Sequence, residues 1–288
     1  MKIALHTSSF GEITLEDAIS KVSEFGYSYI ELAADISNTP HFMAHRATVA
    51  QQIYLEKQLE RRGIELSAID IGGWDLPLCI SNSNEDYRLK AVYNVRKVIE
   101  VANNLGCNLI TSHFWGFNGT QQKYEKDKCT QSLKKSLSDL SPLLVEKTVK
   151  LAFMPHPGGL LEESNPSIDL IKEIAIPEVG YLYGTGHGSI MAQYNQSQSD
   201  MIDYASDTLF HVSISDSPDQ WRIVAPHEVK AHEHSSIGSG DVNFTEVIAS
   251  LKAAGYGGFL SLHLISETDR IDTAAVNSRI LLEEFITV

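Results

Sequence analysis

One feature constrains this chain more than any other: short apolar runs alternate with longer segments of helical period, eight times over. The runs fall at Lys2–His6, 29–32, 65–71, 109–112, Lys150–Met154, 179–183, Leu209–Ile214 and 258–262. After the first, Thr14 is placed to cap a helix whose Leu15, Ala18, Ile19 and Val22 share one face. Helices follow over Val49–Arg62, 84–105, 133–146 (despite Pro142), 167–173, 199–205, 244–254 and 272–285. Gly63, Gly106 and Gly255 serve as stops, and a long loop is expected over 215–241. Such alternation calls for parallel strands, because each return to the same edge needs a crossover. The strands are nearly continuous in apolar character, as expected when both sheet faces are buried. A closed β/α barrel takes about 250 residues, so the 288 present predict one (β/α)8 TIM barrel domain over 1–288. The rival, an open doubly wound sheet, is disfavoured because no strand is followed by GxGxxG.

Charge narrows the partners. Lys and Arg number 23 against 37 Asp and Glu, a formal charge of −14, and the densest basic run, 123–135, also carries Glu125 and Asp127. A surface of that sign repels polyphosphate, so nucleic acid is not expected as a partner. Cys79, Cys107 and Cys129 show no CxxC spacing and read as reduced thiols. No run approaches the roughly 20 apolar residues that span a bilayer. A cytoplasmic protein with no membrane partner is expected; a homo-oligomer is compatible with the sequence, which does not specify one.

In such barrels the chemistry lies at the carboxyl ends of the strands. Glu31 stands near the end of the second strand, and Gly72-Gly73-Trp74 follows the third. The fourth leads into His113, Phe114 and Trp115, the fifth into Met154 and His156, and the sixth into Gly184 and His187. Ser213 and Asp216 close the seventh and His263 the eighth. A lone histidine at a strand end is ordinarily a satisfied, partly buried side chain. Four of them, His113, His156, His187 and His263, are expected to converge on one mouth. There they can move protons near neutral pH, hold a metal, or donate to hydroxyls. Trp74, Phe114 and Trp115 could wall a sugar ring. The long loop adds His227, His232 and His234; in an extended segment His232 and His234 point to the same side. With His187 they make a candidate zinc site, and His113 with His156 and His263 make another.

The segments MKIALHTSSF, FGYSYIELAAD, LGCNLITSHFWG, LAFMPHPG, VGYLYGTGHG, HVSISDS, IGSGDVNF and AGYGGFLSLHL resemble the xylose-isomerase-like barrels. That superfamily includes sugar phosphate isomerases and epimerases, inosose dehydratases, hydroxypyruvate isomerases and endonuclease IV. The resemblance covers nearly the whole chain, and IGSGDVNF looks like the family's GxGxxDF signature. Family epimerases hold a divalent ion with a Glu after strand five, an Asp after strand six, a His after strand seven and a Glu after strand eight. Here those positions read Met154, Gly184, Ser213 and His263, so Mn or Mg is not expected, whereas Zn remains compatible with the imidazoles. His113, His156, His187, Glu31 and Asp216 match family positions. Likeness to endonuclease IV extends to His113 and to His187 with His232 and His234. Its bridging Glu is replaced by Met154, so DNA repair is the least favoured reading.

The resemblance, corrected for these departures, implies an isomerase, epimerase or lyase acting on a small sugar, polyol or keto acid. His263 and His156 are the expected acid/base pair. His113, His187, Trp74, Trp115, Glu31 and Asp216 are expected to bind substrate. The alternative is a catalytically silent barrel that binds a sugar-like ligand or a protein partner.

Overall fold

Eight parallel strands close into a barrel, following one another round the ring as Lys2–His6, Phe259–Leu262, Leu209–Ile214, Val179–Gly184, Lys150–Met154, Leu109–His113, Glu65–Asp70 and Tyr29–Ala33. The computed structural model describes residues 1–34, 41–191, 196–218, 221–224, 227–230 and 233–288. The barrel strands are β1 (Lys2–His6), β2 (Tyr29–Ala33), β3 (Glu65–Asp70), β4 (Leu109–His113), β5 (Lys150–Met154), β6 (Val179–Gly184), β7 (Leu209–Ile214) and β10 (Phe259–Leu262). The ring closes where Lys2, Ile3, Ala4 and Leu5 pair with Phe259, Leu260, Ser261 and Leu262. The eight-strand barrel expected from the alternation is the fold.

The α-helices around it are α1 (Leu15–Glu24), α2 (Val49–Arg62), α3 (Glu85–Asn104), α4 (Lys126–Lys147), α5 (Ser164–Ile174), α6 (Thr185–Met191), α7 (Gln198–Ala205), α8 (Phe244–Ala253) and α9 (Ile271–Thr287). Their starts follow local chemistry. Thr14 accepts the Asp17 N–H, Thr48 and Gln51 form a capping box, and Asn84 accepts from Asp86 and Tyr87. Each cap satisfies an N–H that the first helical turn would leave orphaned. Between strands and helices lies one large apolar core, which takes in Leu5, Ile30, Ile69, Ile110, Val212 and Leu260. A smaller cluster of Ala68, Leu109, Ala152, Met154 and Leu182 packs separately. Arg88, 1% exposed, pairs with Glu85 on its own helix and ties α3 to α4 through Asp139 and Ser136.

The structure corrects the sequence reading in three places. Helix α4 begins seven residues before the expected start at 133, carrying Pro142 within it. The segment after β6 winds at once into α6, which the sequence reading did not assign to a helix. The expected loop 215–241 contains an antiparallel hairpin, β8 (Trp221–Val224) with β9 (His227–Lys230). All three cysteines are buried and free, and burial pushes the Cys79 and Cys107 thiols up to about 12. Among the described residues no helix is long and apolar enough to cross a membrane.

Candidate active site

The carboxyl ends of the strands bring six imidazoles into an arc. His6 ends β1 and His113 ends β4; His156 lies two residues past β5, His187 in α6, His234 beyond the hairpin and His263 directly after β10. Ring centroids follow one another at 4.4 Å from His6 to His263 and 4.4 Å from His263 to His234. The arc continues at 5.3 Å from His234 to His187, 5.1 Å to His156 and 5.4 Å to His113. The four histidines expected to converge do so, but not as one group. His113, His156 and His187 are mutual neighbours, whereas His263 sits with His6 and His234 on the other arm.

Trp74 lies 4.2 Å from His113, and Trp115 stands edge-on to both Trp74 and His156. The Gly72-Gly73 turn makes this possible. The Gly72 carbonyl accepts from the His113 main-chain N–H at 2.7 Å, and Gly73 takes a φ of +91°. A Cβ on Gly73 would lie 2.4 Å from Ser112 Oγ, so only glycine lets strands β3 and β4 approach this closely. Phe114 departs from expectation. It is 1% exposed and stacks on Phe153 in the core, because its side chain alternates away from that of His113.

Hydrogen bonds settle several proton positions. His113 Nδ1 lies 3.0 Å from the Gly72 carbonyl and His156 Nδ1 2.7 Å from that of Pro157. A carbonyl can only accept, so both Nδ1 atoms carry the proton and each neutral ring presents Nε2 as its acceptor. Burial holds the His113 pKa below its ordinary value and that of His263 well below. Neighbouring His6, His234 and His113 depress His263 further. Both shifts favour the neutral imidazole.

Three residues at this end escaped the strand-end reading. Asp70, at the end of β3, lies 3.2 Å from His6 Nε2 and accepts the Gly72 N–H at 2.9 Å. Ser8 Oγ bridges His6 Nδ1 at 2.7 Å and His263 Nε2 at 2.9 Å. His6 was legible by the rule that found the other strand-end histidines, since it closes the first apolar run.

Glu31 and Asp216, expected among the substrate ligands, are engaged inside the protein. Glu31, 3% exposed, accepts from Thr111 at 2.8 Å and pairs with His211 Nε2 at 2.9 Å, bracing β2 against β7. Burial alone would raise its pKa; the His211 imidazole overcomes this and holds the carboxyl below the usual carboxylate range. Asp216, 1% exposed, accepts main-chain N–H groups from Ser217, Gly238 and Val242. It thereby fastens the IGSGDVNF segment beneath the mouth.

The family's metal position does not fit a hard divalent ion. Met154 offers a thioether and Ser213 a hydroxyl. Gly184 offers no side chain, and a Cβ placed on it would lie 2.6 Å from Met154 Sδ and 3.2 Å from His187 Nδ1. The thioether thus crowds the space an acid would need. Of the expected zinc trio, His187 and His234 are adjacent, while His232 lies outside the described residues. The other trio is split, with His263 on the far arm from His113 and His156. Among the described residues no group of three or more His, Cys, Asp or Glu is placed to hold a metal ion.

A closed ring of eight parallel strands alternating with helices defines a (β/α)8 TIM barrel, here with imidazoles at the carboxyl ends of its strands. The chain belongs to the xylose isomerase-like TIM barrel family, which it matches over residues 19–283. It is 21% identical to the uncharacterized protein MJ1311 of Methanocaldococcus jannaschii over 291 residues, spanning 100% of this chain and 90% of the relative. Among solved structures it resembles D-psicose 3-epimerase with D-tagatose from Clostridium cellulolyticum H10, with a TM-score of 0.79 and 16% identity over 99% of both chains. It also resembles the IOLI protein with a bound zinc atom, with a TM-score of 0.74 and 16% identity over 100% of this chain and 98% of that one.

Proposed function

We propose that this protein is an isomerase, epimerase or related lyase for a small sugar, polyol or keto acid, working by histidine acid/base chemistry. The observation that carries this reading is the arc of six imidazoles at the carboxyl ends of the strands. Proton transfer beside a carbonyl needs groups that accept and return a proton at neutral pH, and neutral imidazoles do both. In this reading His263 and His156, separated along the arc by His234 and His187, address opposite faces of a substrate carbon. His113 and His187 bind hydroxyls, while Trp74 and Trp115 supply an apolar wall for the ring. If an ion is held, the imidazoles favour zinc over Mn or Mg, which metal analysis of the purified protein checks.

The test uses ketoses offered in D2O. D-Fructose, D-tagatose and a set of ketopentoses are incubated with the protein and followed by proton NMR. Loss of the signal from the carbon-bound hydrogen next to the carbonyl is expected for at least one of them. His263→Gln should reduce that exchange by about 10²–10⁴-fold while leaving affinity and melting temperature close to wild type. Exchange at the wild-type rate in His263→Gln would remove His263 from the mechanism. The replacement of the family's metal-ligating residues by Met154, Gly184 and Ser213 favours a second reading, a barrel that binds a sugar-like ligand without turnover. It predicts saturable binding of a ketose with no exchange.

A further inference from the structure

The hydrogen bonds around His6 have a single consistent direction. The Ser8 main-chain N–H lies 3.2 Å from His6 Nδ1, and an amide can only donate, so Nδ1 is the bare nitrogen of a neutral ring. The ring proton is therefore on Nε2, facing Asp70 Oδ2 at 3.2 Å. Ser8 Oγ, 2.7 Å from the same Nδ1, must donate its hydroxyl proton there. That leaves the Oγ lone pairs to accept, and the group they meet at 2.9 Å is His263 Nε2, which must carry a proton. Every donor in the chain from His263 through Ser8 to His6 points the same way, and Asp70 anchors its far end.

We propose that His263, Ser8, His6 and Asp70 form a directed proton relay that carries a proton collected at the barrel mouth inward to His6. The relay rests on the acid/base reading above. When His263 takes a proton from a substrate carbon at Nδ1, its Nε2–H bond breaks and that proton passes to Ser8 Oγ. The Ser8 O–H bond breaks in turn and its proton moves to His6 Nδ1. No electrons are transferred; one positive charge moves from His263 to His6. His263 emerges as the other neutral tautomer.

Electrostatics supplies the driving force. Among the described residues no carboxylate pairs with His263 to balance a cation there, where its hydrogen-bond partner is the Ser8 hydroxyl. A cation on His6 faces the Asp70 carboxylate in a pair that is almost wholly buried. The stored state has its own cost, since a protonated Nδ1 confronts the Ser8 main-chain N–H, which drives the proton back out and resets the chain. Ser8, His6 and Asp70 are positioning and relay residues here; only His263 meets the substrate.

The test combines tautomers with exchange. Protein labelled with 15N-histidine is studied by long-range 15N–1H correlation at pH 7.5, with His6→Gln and His263→Gln used to assign the rings. Wild type should show both rings neutral and protonated at Nε2. In Ser8→Ala, His6 should keep its tautomer, held by the main-chain N–H and Asp70, while His263 becomes a mixture. Deuterium exchange into the ketose that responds should fall about 10–100-fold in Ser8→Ala, below the loss of a direct acid/base group, with KM and melting temperature unchanged. Ser8→Thr, which restores the hydroxyl, should recover most of it. Wild type carrying the His263 proton on Nδ1, or Ser8→Ala exchanging at the wild-type rate, overturns the relay alone. Correct tautomers with no exchange on any ketose overturn the acid/base reading and the relay's purpose with it.

Discussion

Replacing Glu31 tests the division between scaffold and site most directly. Its carboxylate, 3% exposed, holds His211 at 2.9 Å on one oxygen and Thr111 at 2.8 Å on the other. His211 Nδ1 is already buried without a hydrogen-bond partner. Glu31→Ala would take the acceptor from Nε2 as well, leaving an imidazole unsatisfied at both nitrogens inside the barrel. Breaking one side of a buried pair costs about 3–5 kcal/mol. At roughly 2–3 °C per kcal/mol for a chain of this size, the melting temperature should fall by about 6–15 °C. Glu31→Gln keeps the volume and one acceptor but loses the charge. Its cost should be smaller, about 1.5–3 kcal/mol. Calorimetry on both variants, beside ketose affinity, separates the possibilities. A substrate-binding Glu31 would lose affinity and keep its stability. A melting point for Glu31→Ala within 2 °C of wild type, on the order of the shift one kcal/mol makes, would refute the bracing argument.

Asp216→Ala should lower the melting temperature by several degrees without changing ketose KM, because it strips three main-chain N–H groups of their acceptor; an altered KM with unchanged stability would contradict this. Acid should destabilise the fold earlier than carboxylate titration alone would. Burial, the first cause in each case, holds His41, His45, His113 and His263 below the ordinary imidazole pKa, with His41 near about 4. The unfolded chain therefore binds more protons below its pKa of ~6.5, so stability present above that value is lost as pH falls toward 4. Thermal melts between pH 8 and 4.5 that show no slope would count against it. Glu31, depressed rather than raised, adds its own loss only below the usual carboxylate pKa. Gly184→Asp alone should destabilise by about 1–3 kcal/mol through overpacking against Met154, and Met154→Ala in the same chain should recover part of the loss; equal stability of wild type and Gly184→Asp would show the space to be open.

The barrel was legible in the sequence because its signals are local and repeated. Each strand is a short apolar run and each helix a periodic segment, the first of them announced by its cap at Thr14. Strict alternation then leaves few ways to pair parallel strands. The same rule located His113, His156, His187 and His263 at the strand ends. What it did not supply was which of those side chains touch, since neighbours around a closed ring are separated by tens of residues or more. His6 and His263 lie at opposite ends of the chain, yet their rings are 4.4 Å apart because β1 pairs with β10 to close the barrel. The destinations of Glu31 and Asp216 were hidden for the same reason. A carboxylate beside a strand end reads as a ligand until its partners are known, and those partners, His211 on β7 and the main chain of 238–242, come from distant segments. Proton positions were beyond the sequence altogether. They follow from which nitrogen meets a carbonyl or an amide, and only the closed barrel brings those groups together.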